Sequence, residues 1–134
     1  MSPRFLLDTH VLVRWLAAPK RLSREQTRIL RDAVRHREPV AISAITLFEI
    51  AVLFGKDSVR SEIPVEELFT ELESNPAFQI IPLTVDVAAE VAAIGGSLRD
   101  PADRAIVSTA RIQKLRLLTS DQRIIDAGLV PVVA

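Results

Sequence analysis

The sequence predicts an α/β fold built on a parallel sheet, and three observations carry that prediction. Short apolar runs alternate with segments of helical period along the whole chain, as happens when strands cross over through helices. The 134 residues suffice for one core of ordinary size and are too few for two. The breaks AAPKRLS, KDSVRSEIP, SNPAF and GGSLRDP are all too short for an interdomain linker, so residues 1–134 are expected to form a single domain.

Taken in order, the apolar runs RFLL (4–7), PVAIS (39–43), FQIIPL (78–83), LRLLT (115–119) and VPVV (130–133) are the expected strands. Pro131 has no N–H to give to a ladder and puts the last strand at an edge. Helical period is expected over 9–17, 23–36, 44–55, 65–74, 85–95 and 101–113, with a short helix over 121–127. Thr9 is positioned to cap the first of these, and Gly95, Gly96 and Gly128 to stop others. In the stretch RDPADRAIVSTA, Asp100 as N-cap would put Pro101 at the first helical position and Asp103 at the third, where a negative charge favours the helix dipole.

Composition narrows the chemistry. There are no cysteines, which removes disulfides, thiolate metal sites and cysteine nucleophiles. Hydrophobic residues make up 49% of the chain, rich enough to predict apolar surface covered by another chain, most simply a homodimer. Seventeen basic and seventeen acidic side chains cancel overall, but residues 1–38 carry nine Lys or Arg against four Asp or Glu, and residues 57–103 carry two against ten. The arginines at 24, 28, 31 and 35 recur at helical spacing and read as a solvated helix face.

Neither candidate membrane segment fits. Asp8, His10 and Arg14 interrupt the apolar start, which is therefore no signal core. Residues 39–55 are short for a bilayer span and carry Glu49 near their centre, where a charge costs about 2.5 kcal/mol or more. A buried strand followed by a buried helix is expected there instead, and no membrane association.

In parallel sheets ligands bind beyond the carboxyl ends of the strands, which directs attention to four acids. Asp8 follows FLL directly, and Asp121 follows LLTS and opens a short helix. Glu49 lies in an apolar stripe among Ile45, Thr46, Val52 and Leu53, with Lys56 two turns on as the nearby cation. It needs a partner from elsewhere in the fold, either a salt bridge or a metal. Taken singly, Asp8, Asp103 and Asp121 read as caps or loop residues. Together the four would repel one another by several kcal/mol unless protonated or bridged by a cation. An all-oxygen donor set suits Mg²⁺ or Mn²⁺ rather than zinc, and such ions activate water for phosphodiester hydrolysis. Other schemes are weak, because the chain has no Gly-x-Ser-x-Gly elbow and no Gly-rich phosphate loop, and only His10 and His36 as imidazoles.

The segments LLDTHVLVRWL, ISAITLFEIAVLFGK, RDPADRAIVSTA and LLTSD resemble, in order and spacing, the PIN-domain ribonucleases of the VapC toxin type. The resemblance implies a three-layer α/β/α sandwich with a central parallel sheet, a metal-dependent endoribonuclease acting on RNA in the cytoplasm, and neutralisation by a VapB-type antitoxin. Carried over by position, it implies Asp8, Glu49, Asp103 and Asp121 as catalytic metal ligands, with Thr9, Ser43 and Thr119 orienting ligands or water. Arg14 and Arg104 become candidates for RNA phosphates. The chain departs from the family at Leu98, where histidine is frequent, at Ala102, where an aromatic is frequent, and at Phe48, where tryptophan is common. These changes leave every carboxylate in place.

Two other metal-using classes fit less well. A haloacid dehalogenase-type phosphatase needs Asp-x-Asp at the first strand, and position 10 is His; a receiver domain needs an aspartate after a middle strand, and FQIIPLT supplies none. The alternative from a different class is a non-catalytic PIN-like binding module whose carboxylates are helix caps and whose apolar surface is an interaction site.

Overall fold

The computed structural model describes residues 2–55 and 64–134. Strands β1 (Phe5–Leu7), β2 (Val40–Ser43), β3 (Phe78–Ile81), β4 (Arg116–Leu118) and β5 (Val132–Val133) form one sheet in the order β3-β2-β1-β4-β5, with every pairing parallel. The helices are α1 (Thr9–Ala17), α2 (Arg24–Arg35), α3 (Ala44–Phe54), α4 (Val65–Ser74), α5 (Val85–Ile94), α6 (Pro101–Gln113) and α7 (Gln122–Ala127). Each expected element is present, its bounds within two residues of those expected, and short 3-10 turns at Pro19–Arg21 and Gly95–Ser97 are additional. Lys56, expected as the cation nearest Glu49 along the chain, lies outside the described residues.

The central strands β1 and β2 are buried on both faces, so alternation along them sorts side chains between two cores. On one face Leu7, Val40, Ile42 and Leu118 meet Val11 and Leu12 of α1, Ile29 and Leu30 of α2, Ile50 of α3 and Leu72 of α4. On the other, Leu6, Ala41, Ile81 and Leu117 meet Ile94 of α5, Ile106, Val107 and Ala110 of α6 and Ile124 of α7. These layers make the three-layer α/β/α sandwich. A side chain such as Leu6 or Leu7, wholly buried, contributes about 1.5–3 kcal/mol. A one-residue slip of β1 would exchange the two sets and fit neither core.

Helix starts other than that of α4 are secured by side chains. Ser23 and Gln26 form a reciprocal capping box on α2, Thr84 accepts from Val87 N–H, and Ser43 accepts from Ile45 N–H. Asp100 accepts from the N–H groups of Ala102 and Asp103, with Pro101 in the first turn, as the spacing predicts. At α1 the cap is Asp8 rather than Thr9, because Asp8 accepts from Thr9 N–H while Thr9 already has helical geometry. Gly95 (φ +53°) and Gly128 (φ +63°) end helices in the left-handed region, whereas Gly96 lies inside a 3-10 turn.

The arginines at 24, 28, 31 and 35 are exposed, as expected, and Arg28 pairs with Glu25 and lies 3.5 Å from Asp32. Residues 39–55 divide into β2 and α3, and among the described residues no helix is long and apolar enough to cross a membrane.

Candidate active site

Because every strand is parallel, all carboxyl ends lie along one edge of the sheet, and helices leave from there. Asp8 is the first residue beyond β1, Asp121 is three beyond β4, Glu49 sits in the second turn of α3, and Asp103 in the first turn of α6. All four line one open cavity of about 330 Å³, together with Thr9, His10, Arg14 and Arg21. Asp100, although adjacent in sequence, is absent from that lining and borders a neighbouring groove with Phe48, Val52, Pro101 and Ala102.

Asp8 is the most tightly held of the four, only 4% exposed. Its Oδ1 accepts from Thr9 N–H at 2.8 Å, its Oδ2 from the Thr119 hydroxyl at 2.7 Å, and His10 Nδ1 stands 3.3 Å from Oδ2. Glu49 finds its partner on another helix, as its apolar surroundings require, but that partner is a hydroxyl. Thr9 Oγ1 donates to Glu49 Oε1 at 2.6 Å. Thr9 has a single hydroxyl proton, so the 2.9 Å contact with Thr46 must be donated by Thr46. A partly buried relay Thr46 to Thr9 to Glu49 thus joins α3 to α1.

The charges are out of balance. Burial pushes the Asp103 carboxyl up from 3.8 to about 6, with further repulsion from Asp100, Asp8 and Asp121 and partial relief from Arg123. Burial also raises Glu49, against the stabilising Thr9 hydrogen bond and together with repulsion from Asp8 and Asp100. Asp121 goes the other way, because Arg123 donates to it at 3.0 and 3.2 Å and holds its carboxyl below the usual range. Arg123 reaches toward Asp103 as well, at 4.0 Å.

Hard oxygen donors with this excess of negative charge fit a divalent cation in both donor type and sign. Among the described residues, no three acidic or imidazole groups are gathered closely enough to hold an ion as they stand. Three of the carboxylates already have donors, Asp8 from Thr9 N–H and Thr119, Glu49 from Thr9 and Asp121 from Arg123, so an ion would meet their remaining lone pairs.

The remaining expected site residues separate. Thr9 and Thr119 touch carboxylates, while Ser43 is fully buried and caps α3 through Ile45 N–H without contacting one. Arg14 lines the cavity. Arg104 does not: its Nε donates to the Leu98 carbonyl and ties down the loop before α6. Sequence reasoning missed Arg21, Arg123 and the donor role of Thr46. The available signals were the hydroxyl three residues before Glu49 and the arginine two after Asp121.

Comparison with known proteins agrees with this geometry. The PIN domain family model matches residues 5–129. Ribonuclease VapC22 of Mycobacterium tuberculosis is 36% identical over 120 residues, which are 89% of this chain and 88% of that protein. The FitAcB crystal structure from Neisseria gonorrhoeae superposes with a TM-score of 0.71 at 27% identity, covering 97% of this chain and 96% of the other. A toxin-antitoxin complex from Klebsiella pneumoniae does so at 0.64 and 27%, over 96% and 95%. A parallel sheet with four acids at its carboxyl edge, a family match along nearly the whole chain and a ribonuclease relative of similar length agree: the chain belongs to the PIN-domain family of VapC-type ribonucleases.

Proposed function

We propose that this protein is a metal-dependent endoribonuclease, the toxin of a toxin-antitoxin pair, that hydrolyses RNA phosphodiester bonds in the cytoplasm, with residues 1–134 as one PIN domain. The observation that carries the reading is the cavity in which Asp8, Glu49, Asp103 and Asp121 meet, with the charge of Glu49 and Asp103 opposed by burial and by neighbouring carboxylates. The relative named as a ribonuclease and the toxin-antitoxin neighbour support the substrate and the antitoxin partner.

In this reading the four carboxylates hold Mg²⁺ or Mn²⁺, which when bound supplies water activation and neutralises charge developing on the phosphate. The chain's own residues do the rest. Thr119 and Thr9 N–H fix the Asp8 carboxylate, and the Thr46–Thr9 relay fixes Glu49. Arg14 and Arg21, which line the cavity, bind RNA phosphates flanking the cleaved bond. Arg104 drops out of the substrate role, being engaged with Leu98.

The binding-module alternative assigns the carboxylates to caps. Asp8, Asp100 and Asp121 do cap helices. Capping does not account for burial and repulsion raising Glu49 and Asp103, and neither is an N-cap. Phe48, 64% exposed, with Val52 and Leu53 forms an apolar strip beside the cavity, which we assign to the antitoxin. A homodimer is expected to show directly in light scattering at micromolar concentration.

The test is cleavage of a fluorophore-quencher RNA with Mg²⁺, Mn²⁺ or EDTA, by the wild type and Asp8→Asn. Cleavage with either ion, abolished by EDTA and by the substitution, is expected. Cleavage by Asp8→Asn at the wild-type rate would overturn the assignment.

A further inference from the structure

His10 lies on the first turn of α1, two residues beyond Asp8, and its two ring nitrogens have different partners. Ser120 N–H donates to Nε2 at 2.9 Å. Nδ1 faces Asp8 Oδ2 at 3.3 Å. A ring nitrogen that accepts a hydrogen bond carries no proton, so a neutral His10 must be in the Nδ1–H form, with its proton on the nitrogen that stands 3.3 Å from Asp8 Oδ2.

Ser120 is itself held. Its hydroxyl accepts from Nε2 of Gln26, a wholly buried side chain on α2 that also donates to the Val133 carbonyl. A hydrogen-bonded path therefore runs from α2 through Ser120 to His10, whose Nδ1 stands 3.3 Å from Asp8. It crosses from the exit of β4 to the exit of β1, the two strand ends from which Asp121 and Asp8 emerge.

We propose that His10 is a positioning residue: through its Nδ1–H tautomer it clamps the Asp8 carboxylate to the β4 exit loop and so sets the separation of Asp8 and Asp121. The inference rests on the metal reading above for its consequence, though not for its geometry. It assigns His10 no proton transfer and no contact with RNA. Partners that orient a metal ligand typically change affinity by about 10–100-fold when removed.

Two variants divide the clamp. Asn at position 10 puts an amide N–H near the place of Nδ1 and keeps the donor to Asp8, while Gln reaches the place of Nε2 and keeps only the link to Ser120. The ring nitrogen shifts of His10, read by ¹⁵N NMR in a His36→Gln background, are expected to be those of the Nδ1–H tautomer. Mn²⁺ titration by calorimetry is expected to show affinity falling roughly tenfold in His10→Ala and His10→Gln and largely recovering in His10→Asn, with all folds intact by circular dichroism.

An Nε2–H ring, His10→Ala binding Mn²⁺ like the wild type, or rescue by Gln rather than Asn would each overturn the clamp. A wild type that binds no Mn²⁺ while its ring is Nδ1–H would overturn the metal reading and leave the clamp standing on its spectrum.

Discussion

The two ends of the sheet use the same residue types to opposite effect. At the amino ends, Arg4, Arg28, Arg116, Asp32 and Glu38 surround Phe5, and the acids there find guanidinium partners. Arg4 bonds Glu38 at 2.5 and 2.9 Å and holds its carboxyl below the usual range, and Arg28 does the same to Glu25. Arg4 and Arg116 also lie 5.3 and 5.8 Å from the Phe5 ring. At the carboxyl ends, Asp8 is held by hydroxyl and backbone donors, Glu49 by a hydroxyl, and Asp103 is left raised to about 6. The amino end is a solved electrostatic problem. The carboxyl end is solved only in part, and its remainder is what a cation fits.

The contrast breaks most visibly if a carboxyl-end acid is made neutral. Asp8→Asn is expected to reduce RNA cleavage by at least about 10²-fold in a single-turnover assay, while Glu38→Gln at the amino end leaves the rate unchanged. Equal losses from both would erase the distinction.

Thr119→Val comes next, since it takes from buried Asp8 a hydroxyl at 2.7 Å. A hydrogen bond to a charged group contributes about 1.5–3 kcal/mol, so a comparable drop in stability by urea denaturation is expected, with weaker Mn²⁺ binding.

Asp103 supplies a test in which loss of the acid helps. The unfolded chain releases this proton near 3.8 and the folded chain near 6, so the folded state binds more protons between those values. Stability therefore falls as pH rises through that window, and the penalty is fully expressed above about 6. In EDTA at pH 7.5, Asp103→Asn is expected to raise stability by about 1–2 kcal/mol after allowance for solvent screening, with the gain vanishing below pH 4. A loss of stability at pH 7.5 would place Asp103 with the satisfied acids of the other end.

The smallest effect separates the two aspartates of α6. Asp100→Ser keeps a capping oxygen and is expected to cost only a few tenths of a kcal/mol and little activity, whereas Asp100→Ala costs about 1 kcal/mol in thermal unfolding. Activity lost in Asp100→Ser but kept in Asp103→Asn would mean the roles are exchanged.

The elements were legible because their signals are local: β1 and β2 are short apolar runs, α2 opens on a Ser-x-x-Gln box, and Pro101 and Gly128 punctuate their helices. Asp8, Asp103 and Asp121 were legible by place, each following a strand or opening a helix at one edge, and Glu49 as a lone carboxylate in an apolar stripe. Their partners were harder to see. Thr9 passes for a cap until α3 brings Glu49 to within 2.6 Å of it. Arg104 passes for a phosphate ligand until its guanidinium is found on Leu98, and Arg123 passes for a surface charge until it meets Asp121 and approaches Asp103.

Chain order and hydrophobic period are enough to specify strands, helices and the sheet edge that gathers the acids, since those depend on near neighbours and on the right-handed crossover of parallel strands. Which hydroxyl holds which acid, which acid is raised and which nitrogen of His10 holds the proton depend on contacts between residues about 40 to 110 positions apart, such as Thr9 with Glu49, Asp8 with Thr119 and His10 with Ser120. Such charge states follow from distance and desolvation, and both exist only once the chain has closed on itself.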